Sequence, residues 1–247
     1  NSETLVRKIY ASNPFAEIIY VHTTTMSISD HIAAGGDYTA RSAHAAVMRR
    51  YGIPQIDVGE ILRNKVISTG GDWKTLTRDN VHPNDEGYAI YTAAIEKLLE
   101  KELDGEALRE VELPPRISLL SDRTGAGFVD SFDIDSDWTR VEKSMCGRYD
   151  HYIESESGGL ELKFTGRRVG IYCMFAKDSG DVIVTLDGAE TTYSTWDSYC
   201  KRFNRAGTVI FGGELEYGEH VLKLRVSDKK NYESEGYAVR IGAFMVY

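Results

Sequence analysis

The sequence has no long apolar run, no basic cluster and few cysteines, and each absence excludes a class of protein. No apolar run is long enough to span a bilayer, so we expect no membrane partner. The 29 Lys and Arg are outnumbered by 38 Asp and Glu, which gives a net charge of −9. We also expect no nucleic-acid partner, because phosphate binding needs clustered basic side chains.

The three cysteines, Cys146, Cys173 and Cys200, all lie in the second half of the chain. An odd and sparse set is not typical of a disulfide framework, and these spacings match no zinc motif. We expect free, partly buried thiols, with a single bridge as the alternative. The acidic stretch 130–137 lacks the Gly and distal Glu of an EF-hand, so no metal is predicted. A sandwich-type calcium site stays open as an alternative there.

Residues 1–103 alternate short apolar runs with helical patterns. The first helix is predicted to end at Asn13-Pro14, since Pro disfavours helix in the residue before it. The other predicted elements are strands at 17–22 and 53–58 and helices at 39–51, 59–67 and about 85–101. Strands that alternate with helices are typical of a parallel α/β sheet.

The pattern changes after a charged segment that ends in Pro114-Pro115, and we interpret residues 104–116 as a linker. From 117 to 247 the sequence predicts strand after strand. Runs 160–164, 182–186 and 220–226 alternate apolar and polar residues, and many short strands with Gly-rich turns are typical of an all-β sandwich or jelly roll.

One short segment contains the residues of an acid–base pair, because Asp79 lies three residues before His82. A serine esterase needs an imidazole to take the proton of the serine hydroxyl and a carboxylate to orient that imidazole. A carboxylate at this spacing on a tight loop can reach the Nδ1–H of the ring. None of the other five histidines has an Asp three residues before it. The alternative is an Asp-capped turn with a surface histidine.

The segment Asp79–Tyr88, with the helix that follows, resembles the last motif block of SGNH/GDSL hydrolases. The stretch Ser2–His22 is similar to the helix and apolar strand that follow the third block of that family. The resemblance implies a flavodoxin-like α/β fold and a substrate that is a carbohydrate or another acylated small molecule. It also implies that Asp79 is the orienting acid and His82 the general base, with no cofactor. Such enzymes are often exported, which indicates a secreted or periplasmic location.

The sequence departs from this family in one large respect, because it contains no Gly-Asp-Ser nucleophile block. Asp178-Ser179 and Asp197-Ser198 come after His82, which is the wrong order. We therefore expect the nucleophile and the oxyanion-hole residues upstream of residue 1, and little esterase activity from this chain alone. A truncated gene, a proteolysed protein and a two-chain assembly are equally compatible with this. A sheet without its first strands is expected to associate through its open edge.

The second half also shows a resemblance, through Ser179-Gly180-Asp181 and the run 218–222. It is similar to jelly-roll accessory modules of bacterial carbohydrate esterases. Trp196, Tyr199 and Tyr232 lie in predicted loops, where they could stack on sugar rings. The favoured interpretation is that they are core or rim aromatics, because aromatics dominate small β cores. The alternative function is accordingly a carbohydrate-binding or interaction module with an inactive hydrolase remnant.

Three further histidines lie in the α/β half. His22 is predicted at a strand end as a hydrogen-bonded, partly buried residue. His31 is predicted in a loop, and His44 on a helix surface.

Overall fold

A computed structural model of the chain describes residues 2–103, 110–117, 125–130 and 132–247. The chain divides into two compact units, Asn1–Thr124 and Gly125–Tyr247. The first unit contains the helices and a small parallel sheet, and the second contains antiparallel strands.

The first unit alternates helices and strands, as its sequence pattern predicts. In chain order the elements are α1 (Ser2–Ser12), β1 (Tyr20–His22), α2 (Met26–Ala33), α3 (Thr39–Arg50), β2 (Gln55–Asp57), α4 (Val58–Ser68), a 3-10 turn (Trp73–Thr75) and α5 (Asp85–Glu102). The four predicted helices correspond to α1, α3, α4 and α5. Gly52 follows α3 with φ of +65°, the left-handed conformation that commonly ends a helix.

Helix α2 is absent from the sequence prediction, which placed His31 in a loop. That prediction is wrong, because His31 lies in the last turn of α2. The helix has only eight residues, too few to show a clear apolar period. Its start is fixed by Thr25, whose side-chain oxygen accepts the N–H of Ile28 at 3.3 Å.

The parallel sheet has two strands among the described residues, and each is shorter than predicted. β1 pairs with β2 in the register Tyr20↔Gln55, Val21↔Ile56 and His22↔Asp57. Val21 and Ile56 pack against a core formed by α4, α5 and the 3-10 turn; its buried members are Val58, Leu62, Val66, Trp73, Leu76 and Tyr91. On the other side α1 and α3 form a second core; its buried members are Val6, Tyr10, Met48, Tyr51 and Ile53. Helices thus cover the pair on both faces, as a parallel sheet requires.

The segment 110–117, which includes the described part of the predicted linker, packs against the first unit. The N–H of Val111 donates to the Pro14 carbonyl at 3.0 Å, and the N–H of Ile117 donates to Glu3 Oε1 at 2.8 Å. Arg50 donates to the Pro115 carbonyl at 3.1 Å. Residues 104–109 of the predicted linker lie outside the described residues.

The second unit is a β-sandwich of two antiparallel sheets, as the alternating pattern predicts. One sheet has the order β10-β9-β12-β7-β4, and the other has β11-β8-β13-β6-β5 with β3 also paired to β13. The strands are β3 (Gly127–Val129), β4 (Asp133–Ile134), β5 (Thr139–Val141), β6 (Tyr152–Ser155), β7 (Gly159–Gly166), β8 (Val169–Phe175), β9 (Asp181–Leu186), β10 (Ala189–Ser194), β11 (Arg205–Phe211), β12 (Gly218–Val226) and β13 (Val239–Val246).

Alternate side chains of these strands form one core between the sheets. The residues at 160, 162 and 164, at 182, 184 and 186, and at 222, 224 and 226 are all buried in it. The predicted Asp187-Gly188 turn joins β9 to β10 with φ of +48° and +90°, the conformation of a tight hairpin turn.

The cysteines are free, so the alternative of one disulfide bridge is wrong. Cys173 and Cys200 are buried, and Cys146 is half-buried. Burial raises the pKa of the Cys173 thiol to about 12, which makes it an inert core residue.

Candidate active site

The loop between the 3-10 turn and α5 is closed by backbone hydrogen bonds. The Arg78 N–H donates to the His82 carbonyl at 2.8 Å, and the Asn84 N–H donates to the Leu76 carbonyl at 3.0 Å. Asn84 also caps α5, because its side-chain oxygen accepts the Gly87 N–H at 3.0 Å. The segment 76–84 is therefore a short, internally bonded loop rather than an open connection.

The same loop is attached to α2 by a residue in a rare conformation. Asn80 has φ of +65°, which Asn tolerates better than most residues. Its N–H donates to Thr77 Oγ1 at 3.2 Å, and its carbonyl accepts the Met26 N–H at 2.9 Å. The first residue of α2 thus fixes the turn that precedes His82.

Asp79 and His82, predicted as the acid and the base, are brought together by this loop. Asp79 Oδ1 accepts the N–H of His82 at 2.8 Å and that of Val81 at 3.1 Å. Asp79 Oδ2 accepts the ring Nδ1–H of His82 at 2.8 Å. These donors, first the His82 backbone N–H and then its ring, lower the pKa of Asp79 to about 2.

The ring of His82 is oriented for proton transfer at its other nitrogen. Because Nδ1 carries the proton that faces Asp79, Nε2 is left with the lone pair of a neutral imidazole. The His82 side chain is 68% exposed, and within the described residues Nε2 has no hydrogen-bond partner. No described serine lies within hydrogen-bond distance of it. The second ring nitrogen of His82 is therefore left unpaired on an exposed side chain.

The two Asp-Ser strings are structural parts of the second unit. Ser179 is fully buried, and its Oγ accepts the Ala176 N–H at 2.9 Å. Asp178 binds Arg240 through two hydrogen bonds of 2.8 Å. Asp197 caps a 3-10 turn, where it accepts the Tyr199 N–H at 3.0 Å. Ser179 is therefore closed to a substrate, whereas Ser198 is exposed at the start of the 3-10 turn.

The first unit also contains a cavity that the sequence analysis did not predict. It has a volume of about 520 Å³ and lies beside the strand ends; it is lined by His22, Ile32, Gly36, Asp37, Tyr38, Arg41, Ser42, Ala45, Arg49, Gln55 and Asp57. His22 is buried, as predicted, with Nε2 at 3.0 Å from Gln55 Oε1. Arg41 pairs with Asp57, which caps α4. The predicted strand-end position of His22 was the only sequence signal for this site.

His44 lies exposed on α3, as predicted, with Nδ1 at 2.7 Å from the Tyr20 hydroxyl. Of the three aromatics predicted in loops, Trp196 is buried in the sandwich core. Tyr199 and Tyr232 are 57% and 90% exposed. Trp196 is thus a core aromatic, whereas Tyr199 and Tyr232 are exposed, either as rim residues or as rings that could stack on a sugar.

Within the described residues, no group of three or more His, Cys, Asp or Glu side chains could hold a metal ion. In the acidic stretch, Asp135 instead accepts the N–H groups of Asp137 at 3.0 Å and Gly159 at 2.6 Å. None of the described helices is both long and apolar enough to cross a membrane.

No protein-family model and no curated protein matches the chain. Two crystal structures of a two-domain esterase (CEX) active on acetylated mannans are similar to it in fold. The one co-crystallized with mannopentaose matches 99% of this chain and 66% of that chain, at 14% identity and a TM-score of 0.75. The other matches 99% and 67%, at 16% identity and a TM-score of 0.71. The chain therefore spans about two thirds of the length of that esterase.

Proposed function

We propose that the chain is the C-terminal part of a serine esterase of the SGNH/GDSL type that hydrolyses acyl esters, chiefly acetyl esters, on carbohydrate. Residues 1–103 belong to a flavodoxin-like hydrolase domain, and residues 117–247 form a jelly-roll accessory domain. Residues 104–116 are the linker between the two. The fold likeness to an esterase active on acetylated mannans supports acetylated mannan as the first substrate to try. Because carbohydrate esterases of this kind are often exported, the proposal includes a secreted or periplasmic location.

The pairing of Asp79 with His82 is the observation that carries this proposal. In the reaction, Nε2 of His82 takes the proton of a serine hydroxyl as that oxygen attacks the ester carbonyl. The ring then becomes an imidazolium, which the Asp79 carboxylate stabilises through the 2.8 Å contact to Nδ1. His82 next returns the proton to the leaving alcohol, and a water molecule repeats the sequence to release the acid.

The serine in this proposal comes from a segment upstream of residue 1. Two facts support it: the chain spans about two thirds of the similar esterase, and within the described residues β1 pairs with a strand on one side only. The upstream segment would supply the nucleophile, the oxyanion hole and the strands that continue the sheet. Without it, the chain is expected to associate through the open edge of β1.

Acetate release from acetylated mannan tests the proposal, with a protein that includes the upstream sequence. His82→Ala should lower kcat by several orders of magnitude, because the general base is lost. His44→Ala is the matched control, since that histidine is exposed on α3 and should leave kcat unchanged. Full activity of His82→Ala would contradict the proposal. So would rapid turnover by residues 1–247 alone.

The second candidate function is a carbohydrate-binding module joined to an inactive hydrolase remnant. The exposure of Tyr199 and Tyr232 supports it, because flat exposed rings can stack on sugars. Calorimetric titration of the chain with manno-oligosaccharides tests it. Tyr232→Ala should weaken binding, whereas Tyr217→Ala should not, because the Arg167 guanidinium already lies over the Tyr217 ring at 5.8 Å from its centroid. Absence of any binding would leave the sandwich as a structural partner of the hydrolase.

A further inference from the structure

A strained turn in the second unit places Cys146 and Arg148 beside a cavity. The N–H of Met145 donates to the Tyr149 carbonyl at 2.6 Å, and the N–H of Arg148 donates to the Met145 carbonyl at 3.0 Å. Between them, Cys146 and Gly147 have φ of +54° and +67°. A left-handed conformation costs a cysteine free energy, and it persists only where the surroundings enforce it.

The surroundings that enforce this turn lie on strand β13. The register of β13 shifts between Ile241 and Ala243, and Gly242 occupies the irregular position. A Cβ at Gly242 would lie 3.0 Å from Met145 Cε and 3.1 Å from Tyr149 Cδ1. The turn therefore packs closely against the sheet at this bulge. Bulges often occur next to active sites, where they change the direction of a side chain.

The cavity beside the turn has a volume of about 460 Å³, the size of a small-ligand pocket. Its lining is Cys146, Arg148, Tyr172, Asn204, Arg205 and Ala206. The lining includes two guanidinium groups and no carboxylate, although the chain as a whole carries a net charge of −9. Charge complementarity therefore favours an anionic ligand.

Arg205 is held in place but is not satisfied. Its guanidinium lies 4.3 Å above the ring of Phe175, and its Nη2 binds Asp197. Its Nε is buried and has no hydrogen-bond partner in the described part of the chain. Arg148 is exposed and makes no side-chain hydrogen bond within those residues. The Arg205 Nε is closed to solvent, so Arg148 is the unpaired guanidinium that the cavity presents to a ligand.

One ring of the cavity lining belongs to a cluster of three aromatic rings. Tyr172 belongs both to the lining and to a cluster in which its ring lies 5.4 Å from Phe128 and 6.1 Å from Tyr149. Phe128 itself is 55% exposed. The partly exposed Tyr172 ring shares the lining with Arg148 and Asn204, and an aromatic ring beside hydrogen-bond donors fits the apolar face and the hydroxyl groups of a pyranose.

We propose that this cavity binds a monosaccharide-sized ligand that carries a carboxylate, namely an acidic sugar residue. Arg148 binds the carboxylate, Asn204 binds a ring hydroxyl, and Tyr172 contacts the sugar face. The choice of a sugar among carboxylates rests on the proposed function, because that function makes carbohydrate the substrate. The site would hold the accessory domain on a polysaccharide that contains uronic acid.

Cys146 offers a direct test, because it is the only cysteine of the three that is not buried. Modification of the native chain by N-ethylmaleimide should therefore report on the cavity. Sodium glucuronate should slow the modification several-fold in a saturable way, whereas glucose and inorganic phosphate should not. Arg148→Ala should abolish this protection, and Arg140→Ala, at an exposed arginine on β5, should retain it. Equal protection by glucose or phosphate would overturn the proposal.

Calorimetric titration of the same chain with glucuronate provides a second measurement that needs no thiol. Arg148→Ala should weaken binding about tenfold or more, because one charge-assisted contact is lost. Equal affinity in Arg148→Ala and the native chain, or no heat of binding at all, would refute the site. Both readouts are independent of ester hydrolysis. Glucuronate binding without esterase activity would therefore overturn the proposed function only, and the converse result would overturn this site only.

Discussion

Asp79 holds His82 at two points, through Oδ1 on the backbone N–H and through Oδ2 on the ring Nδ1, both at 2.8 Å. One carboxylate thus fixes the path of the loop and the orientation of the imidazole together. A carboxylate that only oriented the ring could be exchanged for an amide at a purely catalytic cost. In Asp79→Asn the amide oxygen can keep the backbone N–H contacts of Oδ1, so the exchange should mainly remove the acceptor that faces the ring Nδ1.

The titration of the Asp79 carboxyl group provides the first prediction. Its pKa of about 2 lies below the ordinary 3.8, so its contribution to the free energy of unfolding is present above about pH 4. That contribution is lost as the pH falls through about 2. The difference in unfolding free energy between the native chain and Asp79→Asn should therefore be larger near pH 6 than near pH 2.5. Denaturant unfolding at both pH values measures it, and a carboxyl titration midpoint near 4 by NMR would contradict it.

Gly87 provides a test of how tightly α5 rests on the loop. A Cβ at this position would lie 2.3 Å from the Leu76 carbonyl oxygen and 2.9 Å from Pro83 Cβ. Gly87→Ala should lower the free energy of unfolding of the first unit by about 1–3 kcal/mol, since backbone must move to make room. It should also shift the NMR signals of the His82 ring. Glu86→Ala, at the exposed neighbour, is the control and should change neither quantity; equal stability of the two variants would show that the contact is loose.

Two adjacent residues of α4 test the core of the first unit. Leu62 is 1% exposed, whereas Ile61 beside it is 39% exposed. Leu62→Ala should destabilise the unit by about 2–5 kcal/mol, because it removes buried contacts and leaves a cavity. Ile61→Ala should cost about 1 kcal/mol or less. Chemical denaturation of the two variants compares them, and similar losses would contradict the position of α4.

The sequence predicted those features that local pattern controls. Helix α5 follows from the Asn84 cap and its apolar period, and the sandwich strands follow from alternation that a two-sided core enforces. Helix α2 was missed because eight residues starting after Thr25 carry little periodicity. Trp196 was placed in a loop, as it is, but the core contact of that loop depends on tertiary packing.

The two cavities were not predictable for a related reason. The side chains that line the sandwich cavity come from a turn, a strand and a loop that are far apart in sequence, at Arg148, Tyr172 and Asn204. No spacing rule joins such positions, whereas Asp79 and His82 are three residues apart and need only a turn. Sequence therefore indicated the Asp79–His82 pair, and for the cavities it offered only the predicted strand-end position of His22.

His220 provides the last prediction, because both of its ring nitrogens face acceptors. Nδ1 lies 2.6 Å from Asp187 Oδ2, and Nε2 lies 3.0 Å from the Glu216 carbonyl oxygen. The hydrogen bond to Asp187 raises the pKa of His220 above its ordinary 6.5, and the Val221 N–H and His220 together lower the pKa of Asp187. The charged pair is therefore favoured between the two folded pKa values.

The direction of its pH dependence follows from the raised pKa. The stability that His220 contributes is fully present below about pH 6.5, the unfolded value, and is lost as the pH rises through the folded pKa. The difference in unfolding free energy between the native chain and His220→Gln should thus be larger near pH 5.5 than near pH 9. In Asp187→Asn the NMR titration midpoint of His220 should fall toward 6.5. A midpoint at or below 6.5 in the native chain would show that Asp187 does not hold the ring in its charged form.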